Sequence, residues 1–519
     1  MECEKRDMEV YRQGKVITDQ FYIDDDYNVP DVKNDVKNVI LGEGNLSIED
    51  MKVVENYIRV SGKLIFKILY MAEGEDVRLS ALEGRMPFEE MVYMEEAQDG
   101  NLFMKLAQAE VTVTMIHSRK LNIKALCELQ ICPEKKETLS LTTDMSADFP
   151  LYKRYRKEQI LRLFTIKKDT YRIKEEVTIG GTKESIGNLL WTEAVSRKLD
   201  TRLSGDELLL TGELLIFCFY ESIDGKVDWI EQAVPYEGRM ECYGAGDHMY
   251  HHIYPILTDI NIEPRMDEDG EMRMVGVEAT LEARLFICEE ETVDILEDLY
   301  SLTRDCVPQI KEEKAEKLLM QNHSKCKVAE RLSLPEIKDD ILQICHSSAR
   351  IQVEHTEIET GGIRIEGVLH LYFLYVKSDD TVPFGVWQGM IPFSYLLESN
   401  ETEENMNYDI TCQVEQLSVG LLGSDEIEVK AVLAFNSFLR SPVTIQNIEE
   451  TQDLPIDMEE LEKRPGIVGY IVKEGDNLWN LAKNYSTTRE GIMEVNELAT
   501  EEIKPGDKIL IFKENMSIL

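Results

Sequence analysis

The chain has 519 residues, 43% of them apolar and 30% charged, enough apolar side chain for several cores and a length that predicts three to five domains. Lys and Arg number 57 against 99 Asp and Glu, a formal charge of −42. Such a chain repels phosphate backbones and anionic lipid, which argues against nucleic-acid binding and polybasic membrane anchoring. The first seven residues mix both signs of charge with no apolar stretch, and no run approaches the roughly 18 apolar residues of a membrane span. The ten cysteines are scattered without a C-x-x-C pair. A reduced, cytoplasmic protein without a secretion signal or a membrane span is expected.

From the N-terminus onward a strand unit recurs three times. Residues 62–70 (GKLIFKILY), 212–220 (GELLIFCFY) and 367–375 (GVLHLYFLY) each run from Gly through Leu to Tyr, at intervals of 150 and 155 residues. Lys33, Lys183 and Lys338 stand 29 residues before these glycines, and Val29, Ile179 and Leu334 stand 33 before. Pro30 and Pro335 follow in the outer units, where the second has Gly180. Downstream come Gly84, Gly238 and Gly389, then Ala125, Ala279 and Ala431 at 41, 41 and 42 residues. Landmarks in register over about a hundred residues predict three copies of one domain. Ile58, Val60, Leu64, Phe66, Ile68 and Tyr70 share one parity while Arg59, Ser61, Lys63 and Lys67 share the other, the pattern of a strand with one face on a core and one near water. The third copy puts Ile363, Ile365, Leu369, Leu371, Phe373 and Tyr375 inward; the second is apolar on both faces, which predicts cover on both. The repeated glycine within a strand predicts a bulge or a close backbone approach. Further strands read at 109–116, 121–131, 273–287 and 425–439. The chain is therefore expected to be mainly β, with sandwich units at 10–140, 150–305 and 332–445. Residues 306–331, rich in helix formers, predict a connecting helix, and the acidic, Pro- and Gly-bounded 446–466 a linker.

The last segment changes character. A short strand ending at Val472 meets a Gly-Asp turn, Asp476 or Asn477 caps a helix striped by Leu478, Leu481, Ala482 and Tyr485, a second helix at 488–496 offers Ile492 and Val495, and Ile503-Lys-Pro-Gly-Asp leads into a second strand. This small α+β module (strand, helix, helix, strand; 467–513) resembles a LysM domain through Y-x-V-x-x-G-D-x-L-W-x-x-A and I-x-P-G-D-x-I-x-I. The resemblance implies binding of N-acetylglucosamine-containing glycan, such as peptidoglycan, in a shallow groove between two loops. Carried onto this chain, the groove is Gly475, Asp476, Asn477 and Leu478 facing Leu498, Ala499, Thr500, Ile503 and Pro505; the alternative is that Gly475, Leu478, Pro505 and Gly506 serve the fold alone. Trp479 is either partly buried or an anchor for a protein partner.

The three β units in turn resemble the SPOCS domain, through the V/L-P-x-x-K segment and G-x-L-x-[FIL]-x-x-x-Y, and three of them before a LysM resemble the SipL family of endospore coat-morphogenesis proteins. The missing Pro of the second unit departs from that pattern. The resemblance implies a scaffold of the mother-cell cytoplasm, settled at the forespore's outer surface and spore coat, partnered by the coat-basement ATPase SpoIVA and other coat proteins. The LysM then docks protein, because peptidoglycan lies beyond a membrane. The rival expectation is a glycan-binding protein targeted through LysM.

No motif for catalysis stands out. G-x-x-x-x-G-K-[ST], G-x-S-x-G, H-E-x-x-H and G-x-G-x-x-G are all missing, and with 99 acidic residues no carboxylate pair can be singled out. His248, His251 and His252 beside Cys242 form the densest ligand-like cluster, read as an exposed loop in preference to zinc. Cys127 and Cys132 read as structural thiols, and Tyr70, Tyr220 and Tyr375 as the ends of core strands with their hydroxyls at the edge. No enzyme activity, cofactor or metal is expected. Residues 467–513 hold six basic and eight acidic residues, so about −40 of the charge lies ahead of them.

Overall fold

In a computed structural model, residues 1–74, 78–95, 100–379, 381–456 and 465–513 are described. The chain is overwhelmingly strand. Unit 1 comprises β1 (Glu2–Gln13), β2 (Ile17–Asn28), β3 (Val36–Val54), β4 (Tyr57–Ala72), β5 (Leu79–Tyr93), β6 (Asn101–His117) and β7 (Lys120–Ser146). Unit 2 comprises β8 (Tyr152–Thr178), β9 (Ile186–Ser204), β10 (Glu207–Ser222), β11 (Val227–Glu241), β12 (Tyr250–Arg265) and β13 (Met274–Tyr300). Unit 3 comprises β14 (Arg304–Ser333), β15 (Ile341–Glu359), β16 (Gly362–Lys377), β17 (Phe384–Glu398), β18 (Asn407–Leu421) and β19 (Glu426–Pro455).

Each unit is a sandwich of two antiparallel sheets. One is a meander, β3-β4-β5, β9-β10-β11 or β15-β16-β17; the other joins the unit's first strand to its last two, as β12-β13-β8 and β14-β19-β18, with β1 and β2 sharing that first position beside β7. The predicted inward residues of β4 and β16 fill the space between the sheets, all of them buried. The recurrent lysine closes a tight turn: the Lys33, Lys183 and Lys338 amides donate to the carbonyls of Pro30, Gly180 and Pro335. Gly180 thus does in unit 2 what proline does elsewhere.

The repeated glycine lies where another backbone comes close, as its place in a strand predicts. The ladder slips beside Gly62 and Gly367, between Ile48 and Asp50 and between Val353 and His355. A Cβ on Gly62 would collide with the Ser47 carbonyl and the Phe88 ring, and on Gly367 with the Gln352 carbonyl and Phe393. We expect Gly62→Ala to destabilise the protein by about 1–3 kcal/mol in urea unfolding, while Gly420→Ala, with nothing near its Cβ, is nearly neutral.

Two expectations are corrected. Residues 306–331 are not a helix but the body of β14, paired with β19 from Arg304↔Pro455 to Ser333↔Glu426. Helix propensity is a weak prior there, and a full-length partner strand overrides it. Residues 446–455 are likewise no linker: they continue β19, with Ile448 buried and Glu449 and Glu450 outward. Residues 457–464 of that predicted linker lie outside the described residues. The units accordingly run longer than the sequence suggests, to β1 at Glu2 on one side and Pro455 on the other.

The extra length forms three two-stranded ribbons, β1–β7, β8–β13 and β14–β19, which bundle together. Equivalent positions meet there: Val10, Ile160 and Ala315 with Leu139, Val293 and Ile445. The outer faces of the three meander sheets also meet, Leu69, Phe219 and Leu374 among them. This is the second cover anticipated for β10. It extends to β4, where Leu69 and Met71 are buried at the junction and not near water. The trunk is thus a threefold-like assembly of three homologous units within one chain.

Candidate functional site

The C-terminal module is built as read, from β20 (Ile467–Ile471), α1 (Leu478–Asn484), α2 (Arg489–Val495) and β21 (Lys508–Phe512), with β20 and β21 antiparallel. Leu478, Leu481, Ala482, Ile492, Ile509 and Ile511 form its core. Val495, expected on the apolar stripe, is exposed.

Asn477 is the cap of α1: its Oδ1 accepts the Asn480 amide at 2.8 Å. Asp476 holds the preceding turn, its Oδ2 accepting the Lys473 amide at 2.7 Å and the Tyr470 hydroxyl at 2.8 Å. Those bonds hold its carboxyl below the usual range. Leu478 is buried in the core. Of the predicted groove, Gly475, Ala499, Thr500 and Pro505 are therefore exposed, Asp476, Asn477, Leu498 and Ile503 half-buried, and Leu478 and Trp479 buried. Asp476 Oδ2 and Asn477 Oδ1 are engaged within their own turn, while Thr500 on the facing loop is exposed.

Trp479 is only 4% exposed. Arg489 of the module covers one side of its ring at 5.5 Å, and further cover comes from the trunk, on a surface that sequence reasoning missed: its indole N–H donates to Asp298 at 2.8 Å, and Tyr300 meets its ring edge-on at 5.0 Å. The opposite side of the module is different. The outward face of β20–β21 carries Ile467, Ile471 and Leu510, which are 52%, 59% and 41% exposed around Gly469.

The other candidates fall apart as sites. His248 pairs with Glu289 at 3.0 Å, His251 with Thr201 at 2.9 Å, and His252 is buried against Tyr254. The cluster is thus partly interior, where an exposed loop was expected, and the three rings face different partners. Burial pushes His252 down to about 4. Cys127 and Cys132 are buried thiols, Cys127 pushed up by burial to about 11. The Tyr70 and Tyr220 hydroxyls donate to the carbonyls of Asn34 and Glu184, at the strand edge as expected. Among the described residues no group of three His, Cys, Asp or Glu is arranged to hold a metal.

The trunk contributes two features of its own. A cleft of about 1580 Å³ opens where the units meet, lined by β3 and β6 of unit 1, β12 of unit 2 and β15 and β18 of unit 3. Deeper in the junction a polar cluster is enclosed. Glu193 accepts from His346 (3.2 Å), Ser348 (2.5 Å) and Tyr372 (2.5 Å), and His346 Nδ1 bonds Glu231 at 2.6 Å. Glu43, Glu193 and Ser348 are equivalent positions of the three units, at offsets of 150 and 155 residues.

Comparison with known proteins agrees with this architecture. Residues 35–119, 185–265 and 340–422 each match the family model described as SipL, SPOCS domain. Residues 470–512 match the LysM domain. No curated protein and no solved structure matches the chain. Among the described residues no helix is long and apolar enough to cross a membrane.

Proposed function

The chain is a SipL-type, sporulation-related protein, three SPOCS domains followed by a LysM domain, and on that premise we propose that it is a non-enzymatic scaffold of endospore coat assembly. It acts in the mother-cell cytoplasm and is held at the forespore surface by SpoIVA, with the LysM domain as docking module. The observation that carries the docking role is the apolar outward face of β20–β21, Ile467, Ile471 and Leu510. Small-molecule sites combine apolar and aromatic lining with a few polar groups placed to orient the ligand. Here Asp476 and Asn477 each commit an oxygen to their own turn and Trp479 faces the trunk, whereas an exposed apolar sheet face suits a protein. The low net charge of the module also lets it approach a partner that the acidic trunk repels. Linking three SPOCS surfaces to this module adds effective concentration for other coat proteins.

The test is capture of purified SpoIVA by the full chain. Ile471→Asp with Leu510→Asp is expected to weaken capture by about tenfold or more, with no gain in binding to chitin oligomers. Undiminished capture by a variant lacking residues 467–513 would refute the docking role. Tight binding of chitin oligomers or peptidoglycan that survives the double substitution would instead favour the glycan reading.

A further inference from the structure

The LysM domain is seated on the trunk, at the end of the β8–β13 ribbon, and one carboxylate is central to the contact. Asp298 Oδ2 accepts the Trp479 indole N–H at 2.8 Å, and Oδ1 accepts the Lys483 ammonium at 2.6 Å. Two residues further on, the Tyr300 hydroxyl donates to the Thr487 carbonyl at 3.0 Å, and Tyr152 stacks against Tyr300 with ring centroids 5.0 Å apart. Arg154 faces the Trp479 ring from the trunk side at 5.5 Å. Trp479 and Lys483 lie one turn apart on α1, so a single helix face meets a single acidic residue.

The contact joins aromatic packing, Tyr152 and Tyr300 against the module's own core, to the polar set on Asp298, and contacts between domains of one chain are by default ones that move. The only ion pair across it joins a trunk carboxylate to a LysM amine among the described residues, and a partly exposed pair of this kind is weakened by charge reversal and by salt.

We propose that Asp298 is a latch that holds the LysM domain docked, with the Trp479–Lys483 face of α1 as its catch, and that the domain exchanges between this docked state and a released one in which that face is open. The trunk is then the intramolecular occupant of the α1 face. The outward sheet face and the loop groove are available in both states. This holds whichever ligand the module takes, so its failure leaves the proposed function standing.

The test uses the full chain and two readouts, small-angle X-ray scattering and acrylamide quenching of tryptophan emission. Asp298→Lys places like charges opposite Lys483 and is expected to lengthen the maximum particle dimension. It also opens to quencher one of the chain's four tryptophans. Lys483→Asp, which leaves the trunk sequence untouched, is expected to do the same. The double variant, with the charges exchanged, is expected to recover part of the compact scattering. Unchanged scattering and quenching in both single variants would overturn the latch. So would a double variant no more compact than the singles, since that pattern means damage at each site and not a broken pair.

Discussion

Replacing Arg440 by methionine is expected to cost about 3–5 kcal/mol of trunk stability and to uncouple the three units in chemical denaturation. Arg440 is 0% exposed. Its guanidinium donates to Asp409 at 2.7 Å, Glu316 at 3.1 Å and Gln13 at 2.6 Å, and lies against the rings of Tyr11, Phe286 and Phe438. Asp409 in turn accepts from the Tyr254 hydroxyl, and Lys105 is 3.5 Å away. One buried ion pair of unit 3 therefore collects side chains of units 1 and 2. Burial alone would raise the Asp409 carboxyl, but Arg440, Lys105 and His252 outweigh it and hold it well below the ordinary range. Removing the cation strands that carboxylate in the interior, where an unpaired charge is costly. Arg440→Met combined with Asp409→Leu is expected to recover much of the loss, because a buried pair adds little over a well-packed apolar substitute. A double variant no more stable than Arg440→Met would show that packing, not charge, is what Arg440 supplies.

The second large effect is a pH dependence centred on Glu43. Burial, with Glu193 nearby, pushes the Glu43 carboxyl up to about 8. A carboxyl raised in the folded state holds a proton that the unfolded chain releases, so stability falls as pH rises from about 4.5 to about 8. For His346, burial would lower the pKa, but the bonds to Glu193 and Glu231 outweigh it and raise it to about 9. Its contribution is fully present below 6.5 and lost as pH climbs to about 9. Glu193 is shifted the other way: burial is outweighed by His346, Ser348 and Tyr372, so its contribution is present above about 4.5 and lost only in acid. The junction is thus expected to be tightest near pH 5–6 and to loosen toward pH 9. Glu43→Gln removes the first of these effects. It is expected to stabilise the protein at pH 8 by roughly 2–3 kcal/mol, the full shift being worth about 5 kcal/mol before solvent screening at a half-buried group, and to change little at pH 4.5. Urea unfolding of both proteins across pH 4.5–9 checks this; parallel stability curves would refute it.

The candidate site was only partly legible in the sequence. Asn477 as helix cap, Asp476 in the turn and Leu478 in the core follow from local spacing, because caps and apolar stripes are set by residues three or four apart. That Trp479 turns toward Asp298, 181 residues earlier in the chain, has no local signal. Asp298 is one of 99 acidic residues and nothing in its neighbourhood marks it. The Glu43–Glu193–Ser348 relation was available in principle, since the repeat offsets already align those positions. But no spacing says that the three face a common interior.

What the amino-acid order alone determined was the local pattern, namely the two-residue alternation of β4 and β16, the bulge-forming glycines and the LysM elements, together with the threefold repetition at intervals of 150 and 155 residues. The tertiary structure decided what covers a strand's second face and which long segments pair. Residues 306–331 carry a helix former's composition, yet their backbone bonds go to β19, from Cys306↔Asp453 to Arg331↔Glu428, distant in sequence. Leu69 and Met71 sit on the face that alternation assigns to water, yet units 2 and 3 close over it. Both outcomes depend on surfaces brought together only when the units assemble, and hydrophobic burial and ladder pairing across such distances outweigh the preference of any single segment.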